Sequence, residues 1–162
     1  MLKSVGKIIF ASFLLGLTAL FVHGESDFKQ ILFGSRDGEG GHLPIERIYQ
    51  TIRLSQLLQM KRNKLNLIID VREKRRFDYG RIPLSLNIPL KEMEFISADR
   101  LNFLKKAPNI ILYCLSESCD SAELSAVILY GKGVKNLSVY KGGWVEWKSC
   151  GLPLEGKVAW KR

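Results

Sequence analysis

Two short apolar runs constrain this chain more than anything else in it. Leu65 to Val71 reads LNLIIDV, and Asn109 to Tyr113 reads NIILY. Neither alternates apolar with polar residues, as a strand with one wet face would. A near-continuous apolar run of this length suits a strand covered on both faces, the usual state of a parallel sheet. Helix-like stretches separate the strand-like ones. Residues 54–62 carry an apolar stripe of Leu54, Leu57, Leu58 and Met60. Glu73 to Tyr79 is charged and stops at Gly80. Residues 97–106 read as a helix with Ser97 as N-cap, Leu101 and Leu104 inward, and Pro108 beyond its end. A helix is expected from Ser121 to about Tyr130, with Leu124, Val127 and Ile128 on its inner face and Gly131 and Gly133 ending it. Ile48–Arg53, Leu86–Ile88 and Leu137–Tyr140 fit further short strands, and Trp144–Lys148 a last helix after Gly142 and Gly143. This alternation predicts an α/β domain: a small, mainly parallel sheet flanked by helices on both faces, with right-handed crossovers.

The N-terminus has a different character. Lys3 and Lys7 precede an uncharged stretch from Ile8 to Val22, IIFASFLLGLTALFV. Its 15 residues fall short of the roughly 20 that a spanning helix needs. With Val22-His23-Gly24 before Glu25, residues 1–24 read as a secretory signal peptide. The rival reading is an uncleaved anchor that tethers the chain to a membrane through residues 8–22. Both predict export, to a periplasm or facing it. Residues 25–46, with the segment GSRDGEGG, read as a polar tether, and residues 47–160 as the folded domain.

Composition narrows the function classes. The 162 residues are 46% hydrophobic and 25% charged, enough for one real core. Three cysteines exclude the disulfide framework of small secreted domains. Two histidines, His23 and His42, argue against a His-rich metal site or a His-paired nucleophile. The net charge of +9 is uneven: residues 53–81 hold nine basic and three acidic side chains. No nucleic-acid motif accompanies them, so no nucleic-acid partner is expected. Contact with anionic lipid or envelope polymer is an open alternative.

The candidate site is a cysteine. Cys114 directly follows the second apolar run, and ligands of open α/β sheets bind beyond the carboxyl ends of the strands. The loop Leu115, Ser116, Glu117, Ser118, Cys119, Asp120 then leads to Ser121 at a helix start. Backbone N–H groups of such a loop can converge on the sulfur, and the helix N-terminus adds positive partial charge. Both lower a thiol pKa, so Cys114 needs no histidine base. The alternative is an inert core thiol.

From about residue 65 to 155 the chain resembles the rhodanese-like (sulfurtransferase) family. Asp70-Val71-Arg72, Phe77 and Gly80-Arg81-Ile82-Pro83 resemble its D-x-R, E-[FY] and G-H-I-P segment. Asn87-Ile88-Pro89-Leu90 matches N-I-P-L, and Ile111-Leu112-Tyr113-Cys114 the strand that delivers the active-site cysteine. Gly133 to Tyr140, Gly142-Gly143 to Trp147, and Gly151-Leu152-Pro153-Leu154-Glu155 resemble the family's closing motifs. The resemblance implies a persulfide on Cys114, formed from a small sulfur donor such as thiosulfate or a persulfide. The outer sulfur then passes to a thiophilic acceptor such as cyanide, sulfite or a thiol. It implies no metal or organic cofactor.

The departures from the family pattern carry their own expectations. Residues 114–120 contain no Gly, Arg or Lys, where the family loop usually reads C-x-x-G-x-[RK]. Without an Arg clamp, phosphatase activity is not expected. Glu117 and Asp120 oppose anion binding, so thiosulfate turnover should be slow. Cys119 admits several readings: a disulfide partner of Cys114, a resolving thiol, a plain loop residue, or half of a soft-metal pair. Cys150 is expected to be structural, at a position the family fills with a small residue. Arg81 replaces the usual His, and Leu84-Ser85 replaces Gly-Ala. Asp70 and Arg72 are supporting residues, as a structural brace or as charge near the pocket; Trp144 and Trp147 are expected to pack. Two other functions stand beside sulfur transfer: a binding module that kept the fold without turnover, and a thiol redox role for Cys114 and Cys119.

Overall fold

The computed structural model describes residues 48–158. The signal-peptide, tether and histidine expectations lie outside the described residues. The elements in order are β1 (Gln50–Ile52), α1 (Leu54–Met60), β2 (Leu67–Asp70), α2 (Lys74–Tyr79), β3 (Leu86–Asn87), α3 (Leu90–Met93), α4 (Ala98–Lys105), β4 (Ile110–Tyr113), α5 (Ser121–Gly131), β5 (Leu137–Tyr140) and α6 (Gly143–Ser149). Every strand pair is parallel, in the order β1-β5-β4-β2-β3. The two apolar runs, β2 and β4, are therefore neighbours inside the sheet, where both faces need cover.

Register explains which residue meets which layer. Ile52, Tyr140, Tyr113 and Asp70 stand in one row across the sheet, and Val139, Leu112 and Ile69 in the next. Successive residues of a strand point to opposite faces. One face accordingly joins Ile52, Ile68, Ile111, Tyr113 and Tyr140 with Leu57 of α1, Ile82, and Trp144 and Trp147 of α6. Helix α5 packs along β4 and β5, and α3 packs on α5.

Helix faces differ from the sequence reading in detail. Leu58 is exposed, and α1 buries Leu57 alone. On α5 the buried set is Ala122, Leu124, Ser125, Ala126 and Leu129, while Val127 and Ile128 are only partly covered. The buried face of α5 thus combines Leu124 and Leu129 with three small residues, and Val127 and Ile128 lie at its margin. Ser97 caps α4 as expected, its hydroxyl accepting from the Arg100 N–H at 3.4 Å. Helix α3 was not expected. Its single turn is too short for a periodic signal, and one buried residue, Met93, anchors it.

Leu84 has φ 67°, in the left-handed region. This is the position where the family pattern puts a glycine, and a leucine there costs about 1–2 kcal/mol of backbone energy. Its side chain is 74% exposed, so no packing offsets that cost.

Candidate active site

The carboxyl ends of β2 and β4 build the site's floor from charged groups. Asp70 and Arg72 are both buried and hydrogen-bonded to each other, from Arg72 Nη2 to Asp70 Oδ2 at 2.5 Å and Nε to Oδ1 at 2.9 Å. Asp70 also accepts from the Tyr113 hydroxyl at 2.6 Å and from the Arg72 backbone N–H at 2.9 Å. Arg72 Nη2 donates onward to the Gly80 carbonyl at 2.7 Å, and its guanidinium lies 5.0 Å from the Trp144 ring centre. Burial would lower the Arg72 pKa, but the hydrogen bond and charge of Asp70 outweigh it and hold the guanidinium above its ordinary value. Burial, and then the Asp70 charge, push the Tyr113 phenol well above its own. Nε and Nη2 of Arg72 and the Tyr113 hydroxyl all have internal partners, and through them the pair braces the domain. These bonds are what a structural brace, one of the two sequence readings for Asp70 and Arg72, would make.

Other motif residues tie into the same brace. Asn87 Nδ2 donates to the carbonyls of Asp70 and Arg72, each at 2.9 Å. Arg81 and Glu155 exchange backbone hydrogen bonds at 2.9 and 3.1 Å, and their side chains pair at 3.3 Å. The Arg81 guanidinium also lies 4.6 Å from the Phe77 ring centre. Trp147 Nε1 donates to the Pro153 carbonyl at 2.8 Å. The dispersed motifs of the sequence are thus one connected collar behind the loop. Tyr113, Ser85 and Gly80 belong to it without a role assigned from sequence; each stands in a segment compared with the family pattern, which was the signal available.

The loop begins with Cys114, 5% exposed at the end of β4. Two N–H groups in the first turn of α6 hold it from behind: Trp144 N donates to the Cys114 carbonyl at 3.0 Å and Val145 N to the Leu115 carbonyl at 2.9 Å. This approach requires a glycine. Gly143 has φ +61°, and a Cβ there would lie 2.7 Å from the Cys114 carbonyl oxygen. The Gly-Gly-Trp motif is therefore the back wall of the cysteine loop, a role its sequence did not reveal.

Cys114 and Cys119 are joined by a disulfide, with their α-carbons 6.2 Å apart. The expected thiolate is capped in this state. One loop donor also turns inward: the Cys119 N–H bonds to the Ser116 carbonyl at 3.0 Å instead of aiming at the Cys114 sulfur. The Ser116 and Ser118 hydroxyls are 3.1 Å apart, and Glu117 is exposed. Cys119 Sγ lies 3.6 Å from Ser121 Oγ; the disulfide sulfur has no proton, so the hydroxyl is the donor. Asp120 is the N-cap residue of α5. Cys150 is exposed and free, contrary to the expectation that it is structural. Among the described residues no group of three or more His, Cys, Asp or Glu is placed to hold a metal. Among them, too, no helix is long and apolar enough to cross a membrane.

A family model described as Rhodanese-like domain matches residues 53–150. The chain belongs to the rhodanese-like family. An HTH-type transcriptional regulator of Mycobacterium tuberculosis is 32% identical over 106 residues, 64% of this chain and 44% of that protein. A mitochondrial protein of Schizosaccharomyces pombe, provisionally designated a thiosulfate sulfurtransferase, is 31% identical over 94 residues, 52% of this chain and 65% of that one. The chain thus spans less than two thirds of either relative. Among solved structures, a Bacillus halodurans protein superposes with TM-score 0.61 at 22% identity, covering 71% of this chain and 82% of its own. A human single-domain sulfurtransferase superposes with TM-score 0.51 at 21% identity, covering 61% of this chain and 95% of its own. These likenesses establish the rhodanese-like fold, an α/β domain with a five-stranded parallel sheet flanked by helices.

Proposed function

We propose that this rhodanese-like protein carries sulfane sulfur as a persulfide on Cys114 and passes it to a thiophilic acceptor. One observation carries the reading: Cys114 heads the loop between β4 and α5, its carbonyl held by the α6 N-terminus, while the Asp70–Arg72 collar stiffens the floor behind it. A thiolate released there by reduction is a good sulfur nucleophile. Residues 115–121 form the donor pocket in this reading. Their two acids and lack of any base favour a persulfide of low charge over the thiosulfate dianion.

The test uses the full-length Cys119→Ser chain, which removes the competing disulfide. After treatment with glutathione persulfide, intact-mass spectrometry should show a one-sulfur increment that cyanide discharges as thiocyanate. With the exposed Cys150 also replaced by Ser in both chains, the increment should vanish in Cys114→Ser/Cys119→Ser. An unmodified mass in Cys119→Ser under every donor refutes the proposal. The Cys114–Cys119 bond favours a second reading, thiol redox cycling without sulfur transfer, and that same unmodified mass is its signature.

Export belongs to the proposal as well, supported by Lys3, Lys7 and the uncharged run from Ile8 to Val22. Fractionating expressing cells and sequencing the mature N-terminus tests it. A chain recovered intact from the cytosol would overturn it.

A further inference from the structure

The loop holds a second sulfur within bonding reach of the first, and sulfur carriage alone gives that sulfur no task. We propose that Cys119 resolves the Cys114 persulfide and releases its outer sulfur as sulfide, making the domain a dithiol-dependent, sulfide-releasing persulfide reductase. The proposal deepens the sulfur-carrier reading and rests on it.

The geometry supplies each requirement. The α-carbons of Cys114 and Cys119 are 6.2 Å apart, inside the range a disulfide spans without backbone movement. The hydrogen bond from Cys119 N to the Ser116 carbonyl folds the loop back and holds Cys119 near Cys114. Ser121 Oγ, 3.6 Å from Cys119 Sγ, can donate to a thiolate there, and α5 is an 11-residue helix whose N-terminus favours that anion.

The step balances as follows. Cys119 gives its proton to solvent, and its thiolate attacks Cys114 Sγ. The bond between Cys114 Sγ and the outer sulfur breaks, and the outer sulfur, which carries the proton of the Cys114–S–SH persulfide, leaves as HS⁻ with that electron pair. The Cys114–Cys119 disulfide forms. Sulfane sulfur is reduced to sulfide while two thiols are oxidised to one disulfide. An external dithiol reductant then restores both thiols.

The experiment follows full-length, pre-reduced chain with Cys150→Ser as background, after one addition of glutathione persulfide, without oxygen and with no thiol beyond the glutathione that loading releases. The wild type should release about one equivalent of sulfide per chain and reach a mass lower than the reduced chain by two hydrogens. Cys119→Ser and Cys119→Ala should hold the one-sulfur increment and release none. When millimolar dithiol is supplied, these variants should release sulfide about a hundredfold more slowly than the wild type, because the loop presents Cys119 at a far higher effective concentration. A wild type that keeps its increment as long as the two variants overturns this inference and leaves the carrier reading intact. Absence of the increment in both variants, with Cys114 still open to alkylation, overturns the carrier reading and this inference together.

Discussion

Replacing Arg72 by Met tests the collar directly. The side chains of Arg72 and Asp70 are 4% and 0% exposed, so the substitution leaves a carboxylate inside the protein without its counter-charge. Gly80 loses its hydrogen bond, and Asp70 keeps only the Tyr113 hydroxyl and the backbone N–H of residue 72. Breaking a buried, hydrogen-bonded ion pair from one side costs about 3–5 kcal/mol. For a domain of this size each kcal/mol moves the melting temperature by about 4 °C, so the midpoint should fall by about 12–20 °C. Urea denaturation followed by tryptophan fluorescence measures the loss, since Trp144 stacks on Arg72. Lys74→Ala is the control. The Lys74–Asp78 pair spans one helical turn with side chains 75% and 45% exposed, and its loss should cost under about 0.5 kcal/mol. An Arg72→Met loss below about 1 kcal/mol, no larger than a surface pair, would refute the claim that this pair braces the domain.

Three further outcomes follow from the same geometry. Gly143→Ala should destabilise by about 1–2 kcal/mol or more, because an L-residue is strained at φ +61° and its Cβ meets the Cys114 carbonyl; faster alkylation of reduced Cys114 would show the wall displaced, and an unchanged melt would count against it. Leu84→Gly should raise stability by about 0.5–1 kcal/mol, since relief of the left-handed strain exceeds the entropy a glycine adds; a fall in the urea midpoint would show that Leu84 makes a contact worth more than its strain. The Tyr113 and Tyr140 phenols are raised above the ordinary value of 10.0 by burial, then chiefly by Asp70 and Glu146 respectively. The folded state therefore retains protons that the unfolded chain releases, so this stability is complete below about pH 10 and is lost as pH rises beyond it. Tyrosinate absorbance should show these two of the five tyrosines ionising only as the circular dichroism collapses, and early titration of all five would contradict the assignment.

How much of this was legible in advance differs between layers. The strands were readable because β2 and β4 are covered on both faces, which leaves a continuous apolar run in the sequence. Cys114 was readable as a candidate because it follows such a run. Helix faces were less so. Leu58 fits a periodic stripe on α1, yet Leu57 alone is buried there; Ile128 fits one on α5, whose buried face runs through Ala122, Leu124, Ser125, Ala126 and Leu129. Cys150 fitted a packed position by analogy and is exposed, because it ends α6 on the surface.

By itself, then, the sequence determined the α/β class, the five strands, the family resemblance and the cysteine that heads the loop. These depend on local periodicity and on residue type at fixed spacing. Tertiary structure alone decided that the scattered motifs close into one collar, that Arg72 spends its charge on Asp70, and that Gly143 admits α6 against the loop. It also selected one of the open readings of Cys119, as the bonded partner of Cys114. Such pairings depend on where the parallel crossovers set down residues far apart in the chain, and no spacing between neighbours encodes that distance.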